Sequence, residues 1–143
     1  MTGVNVNERQ SANPSTTPRG IKAFRNNRSI LIVDEDGDVL NQLSQSFAIC
    51  AKQYNIYLAQ NGIDALEVLN RSSVNILLIA LNLPIMHDFD IVDYTKTYYP
   101  TTRIIIMSEE DPSAIRTRLD DLSIDGYIRK PFQLEMIYSV LRV

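Results

Sequence analysis

A single cysteine, Cys50, among 143 residues leaves no partner for an intramolecular disulfide and too few thiols for a cysteine-built metal cluster. No apolar run approaches the roughly 18–20 residues needed to span a bilayer, which excludes a transmembrane helix. The first residues lack the apolar core of a secretory signal, so export is not expected. A cytoplasmic, reducing compartment is the simplest fit to these absences. Internal repeats are also missing. What remains is 45% hydrophobic and 22% charged, the balance of a folded chain with a real core. The length suits one domain.

The net charge of −3 hides an asymmetry. Residues 1–28 carry Arg9, Arg19, Lys22, Arg25 and Arg28 against Glu8 alone, a charge of +4 that leaves −7 on the remainder. An acidic body repels phosphate backbones, so nucleic-acid binding by this domain is not expected. The first 28 residues are rich in Asn, Ser, Thr and Pro and have no apolar period. They read as a disordered basic tail, with the folded domain expected over 29–143.

From residue 29 the chain alternates short apolar runs with amphipathic stretches. Residues 29–33 (SILIV), 55–59 (NIYLA), 75–81 (NILLIAL), 103–107 (RIIIM) and 126–128 read as five strands. The first, third and fourth are continuous runs suited to burial on both faces. Asp36 or Asp38 can cap a first helix striped by Leu40, Leu43, Phe47 and Cys50. Asn61 and Gly62 open a second, with Ala65, Leu66 and Leu69. Pro84 forces a loop, and a third helix carries Ile91, Tyr94 and Tyr98 before Pro100. Asp111 and Pro112 open a fourth, with Ile115, Leu119 and Leu122. Leu134, Ile137, Tyr138 and Leu141 stripe a fifth. Such alternation predicts an α/β fold, a doubly wound parallel sheet covered on both faces. Its ligands belong beyond the carboxyl ends of the strands.

Those ends carry Asp34-Glu35-Asp36 after the first strand and Ala80-Leu81-Asn82-Leu83-Pro84 after the third. Ser108 closes the fourth, and Tyr127-Ile128-Arg129-Lys130-Pro131-Phe132 spans the end of the fifth. In order and spacing over 29–143, the set resembles the receiver domains of two-component response regulators. The resemblance implies a flavodoxin-like five-stranded sheet of order 2-1-3-4-5. It implies phosphoryl transfer to an aspartate, with Asp34 and Glu35 as the acidic pair for Mg²⁺. Lys130 and Ser108 would receive phosphoryl oxygens, and Tyr127 would be the aromatic that moves with the hydroxyl. Pro131 would follow a cis peptide bond.

The departure is Ala80, which stands where the family has its phosphoacceptor aspartate. A methyl group neither attacks phosphorus nor ligates a metal. His87 and Asp88 also depart, standing where the family usually has aspartate and glycine. A degenerate receiver that works without phosphorylation accounts for all three. An engineered Asp-to-Ala change in a conventional receiver accounts for Ala80 alone. With one ligand missing, Mg²⁺ should bind weakly and no cofactor is required.

Other readings stand beside these. Lys130 can simply pair with Asp34. Asp36 and Asp38 can be helix caps, Asp88 a cap rather than a metal ligand with His87 and Asp90, and Cys50 inert core. Residues 34–37 (DEDG) also resemble the D-x-D-G nucleophile motif of haloacid-dehalogenase-like phosphohydrolases. Only 13 residues follow Lys130, with Glu135 their one acid, too few for that family's later metal-binding pair. The expectation is therefore a non-enzymatic signalling module. Its partner would be an output protein, a kinase or a second copy. The expected surface is the fourth helix, fifth strand and fifth helix, including Arg116, Arg118, Asp120 and Arg129.

Overall fold

The computed structural model describes residues 4–5, 28–81 and 88–142. In chain order the elements are β1 (Val4–Asn5), β2 (Arg28–Val33), α1 (Gly37–Cys50), β3 (Tyr54–Ala59), α2 (Gly62–Arg71) and β4 (Ile76–Ala80). They continue with α3 (Asp88–Tyr98), β5 (Arg103–Ser108), α4 (Arg116–Leu122), β6 (Gly126–Arg129) and α5 (Leu134–Leu141). The sheet order is β1-β3-β2-β4-β5-β6. The five strands from β2 onward pair in parallel, which is the expected 2-1-3-4-5 arrangement. Helices α1 and α5 pack together on one face, and α2, α3 and α4 stand in a row on the other.

The apolar runs dictate this layering. Ile30, Leu31, Ile32 and Val33 of β2, the whole of β4, and residues 104–108 of β5 are buried. Helices on both faces are what remove such strands from water. Each fully buried Ile, Leu or Val contributes roughly 1.5–3 kcal/mol. Side chains tie down the amino ends of the strands. Asn75 Oδ1 accepts from Ser29 N–H at 2.8 Å, Thr102 Oγ1 donates to Val74 O at 2.7 Å, and Asp125 Oδ2 accepts from Ile104 N–H at 2.8 Å. The carboxyl ends are thereby left for other work.

Several expectations need correction. Val4 and Asn5, placed in a disordered tail, form an antiparallel edge strand opposite Leu58 and Tyr57. Arg28 already belongs to β2. The other residues of 1–27, Asn82, Leu83, Pro84 and His87, and the side chains of Cys50, Asp88 and Leu134, lie outside the described residues. Asp88 is the first helical residue of α3, not a residue preceding it. Asp111 caps a 3-10 turn at Pro112–Ala114, and the α-helix starts only at Arg116. Tyr98 and Tyr138 are exposed, and Val92, Thr95 and Val140 are buried in their helices beside Ile91 and Ile137. A tyrosine's hydroxyl prefers water, so helical spacing alone overstates its burial.

Candidate functional site

The chain runs from β2 to β3 on one side and then returns to β4 on the other. The strand order therefore reverses beside β2, and a crevice opens beyond the carboxyl ends there. Asp34 leaves β2 directly, its N–H donating to Ala59 O at 3.1 Å. Asp36 caps α1 by accepting from Asp38 N–H at 2.9 Å and Val39 N–H at 3.4 Å. This cap leaves Asp34 buried at the carboxyl end of the central strand β2. Lys130 follows β6, its N–H donating to Ser108 O at 2.8 Å. The Lys130–Pro131 peptide is cis, as the resemblance implied.

The two charges meet. Lys130 Nζ lies 2.5 Å from Asp34 Oδ2, with side-chain exposures of 19% and 4%. Asp34 Oδ1 accepts from Asp36 N–H at 3.0 Å. Both carboxylate oxygens are therefore engaged, as a buried charge requires. Glu35 is exposed, and Ala80 ends β4 with its methyl group in the core.

Ser108 and Tyr127 turn to the loop after β5. Ser108 Oγ accepts from Glu110 N–H at 3.0 Å, and Tyr127 Oη donates to Glu110 O at 2.5 Å. Arg129 Nε donates to Glu109 O at 3.2 Å, and its guanidinium pairs with Asp111 at 3.3 Å. Asp111 in turn accepts from the N–H and hydroxyl of Ser113 at 2.9 and 2.8 Å. These two bonds, with Arg129 beside them, hold its carboxyl below the usual carboxylate range. Residues 109–111 are thus held one by one. Sequence reading named Ser108 and Tyr127 but missed their meeting point, a backbone amide and carbonyl that carry no side-chain signal. It placed Arg129 on a partner surface and missed its hold on Asp111.

The response regulator receiver domain family matches residues 30–142. The chain belongs to that family. Response regulator MprA of Mycobacterium leprae is 26% identical over 113 residues, which cover 79% of this chain and 49% of that protein. Its namesake in Mycobacterium ulcerans matches to the same degree, with 48% of its length covered. The chain spans about half the length of the curated relatives it matches. Among solved structures, chemotaxis response regulator CheY4 of Vibrio cholerae superposes with a TM-score of 0.72 at 21% identity, covering 80% of this chain and 96% of that one. The signal receiver domain of an HD domain-containing protein from Pseudomonas fluorescens gives 0.72 at 25%, covering 80% and 91%.

This is a receiver domain of two-component signalling, a class that works through contacts with other signalling proteins. Of the residues that the resemblance assigns to the family's Mg²⁺, Asp34 has each oxygen in one contact, Glu35 is exposed, and Ala80 offers no ligand. Among the described residues, no group of three or more His, Cys, Asp or Glu side chains is arranged to hold a metal ion. No described helix is long and apolar enough to cross a membrane.

Proposed function

We propose that this receiver domain signals without being phosphorylated, by presenting a fixed surface to a protein partner. The observation that carries the reading is Ala80 at the carboxyl end of β4, the position of the family's phosphoacceptor aspartate. Without a carboxylate there, no aspartyl phosphate forms. The Lys130–Asp34 pair supports the same reading, because the lysine is satisfied by an internal anion. On this proposal the domain catalyses nothing and needs no cofactor, and Mg²⁺ binds weakly at most.

The partner surface is α4, β6 and α5. Arg116, Asp120 and Arg129 are exposed on it, and Arg118 lies with its guanidinium 4.7 Å from the centre of the Phe89 ring of α3. Mixed charges of this kind favour selective pairing. On this proposal the bonds holding residues 109–111 favour one arrangement of the loop before α4, and without an aspartyl phosphate the trigger for a second arrangement is missing.

Incubation with acetyl phosphate and Mg²⁺, followed by intact-mass measurement, tests the first half. No added phosphoryl group is expected, and a stoichiometric adduct overturns the reading. Arg118→Glu and Tyr127→Ala are expected to weaken partner capture, while Asp34→Asn leaves it unchanged. The opposite ranking would move the contact to the strand-end pocket.

A further inference from the structure

The two edges of the sheet are managed differently. An edge strand presents unpaired backbone groups that other chains can pair with, and proteins blunt such edges by brevity, charge or proline. β6 has all three: it is four residues long, ends in Arg129 and leads into Lys130-Pro131. β3, at the other side of the parallel sheet, has none. Its six residues, YNIYLA, contain no charge, proline or glycine. Two tyrosines and an isoleucine give it high β-propensity. A short, uncharged, β-prone segment of this kind pairs readily with copies of itself.

Among the described residues, β1 lies along the outer edge of β3. Val4 stands opposite Leu58 and Asn5 opposite Tyr57, antiparallel, and residues 6–27 connect this cover to β2. Among the described residues this cover is two residues long, and each pairing position adds little alone. The edge has therefore already accepted an antiparallel strand, supplied by Val4 and Asn5 of the same chain. Antiparallel is also the direction a second β3 takes across a two-fold axis, and the uncharged sequence puts no like charges opposite each other there.

We infer that the outer edge of β3 is a self-pairing surface held closed by the amino-terminal strand, and that its occupant when this strand is withdrawn is β3 of a second copy. The surface lies at the opposite edge of the sheet from α4, β6 and α5 and does not depend on the state of Ala80.

The test uses the full chain with Val4→Pro and Asn5→Pro together, because proline lacks the N–H that the ladder needs. Analytical ultracentrifugation over a concentration series should show the double variant doubling in mass where the wild type does not. Hydrogen exchange in residues 54–59 should be faster than wild type in dilute samples and slow again as the variant associates. Adding Tyr57→Lys, which places charge on the edge, should return the variant to the wild-type mass, with circular dichroism confirming that it is folded. A double variant that keeps the wild-type mass throughout overturns the inference. Association that survives Tyr57→Lys overturns it too, by placing the contact elsewhere.

Discussion

Lys130 and Asp34, 96 residues apart in the chain, meet at 2.5 Å beneath the carboxyl ends of β2 and β6. The carboxylate is nearly enclosed and the ammonium less so, and removing either partner has unequal consequences. Lys130→Ala leaves a buried anion with one remaining hydrogen bond and is expected to cost roughly 3 kcal/mol. Asp34→Asn lets the lysine reach water and keeps an acceptor for Asp36 N–H, so its cost should be about 1 kcal/mol. Urea unfolding midpoints measure both, and the order Lys130→Ala above Asp34→Asn is the outcome that matters.

The hold on residues 109–111 should be local. Tyr127→Phe removes the bond to Glu110 O, and Arg129→Ala removes those to Glu109 and Asp111. These groups are solvent-accessible, so thermal unfolding should shift little. Hydrogen exchange in residues 109–116 should instead quicken severalfold, and the two substitutions together should exceed either alone. An unchanged exchange pattern would mean that the loop holds its shape without them.

Asp111 supplies a pH signature. Its carboxyl lies below its ordinary value of 3.8, first through the Ser113 N–H, then through the Ser113 hydroxyl and Arg129. A depressed folded value means that the ionised form is favoured by folding. The contribution is therefore present above that ordinary value and disappears as the pH falls through the folded value. Asp111→Asn should flatten this part of the stability–pH curve by bringing the plateau above that value slightly down toward the acid level. Carbon-detected titration of the carboxyl should show a midpoint under 3.8.

Gly126 sits where β6 passes the core. A methyl group there would come within 2.9 Å of Ile105 Cδ1, and Ile105 is buried in β5. Gly126→Ala is expected to cost about 1 kcal/mol by overpacking. Ile105→Val removes the obstructing atom, so the double variant should lose less than the two single losses combined. A chemical-denaturation double-mutant cycle reads the coupling.

The fold was legible where one pattern had one structural meaning. A short apolar run such as residues 76–80 suits a strand enclosed on both sides, and Leu40, Leu43 and Phe47 at helical spacing suit a core-facing stripe. Tyr98 and Tyr138 fitted the same spacing and are exposed, because spacing cannot weigh a ring against its hydroxyl. The strand-end set was legible through its order along the chain, and the Asp34–Lys130 contact was available as one of two readings of the lysine. Arg129 with Asp111, and Tyr127 with Glu110 O, were not legible. Oppositely charged residues on neighbouring elements leave no spacing rule, and a backbone acceptor leaves no residue-type signal. Val4 and Asn5 escaped because two residues cannot display a period.

The sheet order also bears on how the chain assembles during synthesis. β2 is made first among the parallel strands and becomes their centre, with β3 and then β4 laid against its two sides. β5 and β6 each join the strand made just before them. From β3 through β6, every strand emerges to find its neighbour already in place, so accretion can keep pace with translation. β1 waits longer than β2 does, because its partner β3 is translated about fifty residues after it. Once β3 is made, β1 can take its seat before β4, β5 and β6 have been translated, so this edge of the sheet can close while the opposite edge is still unmade.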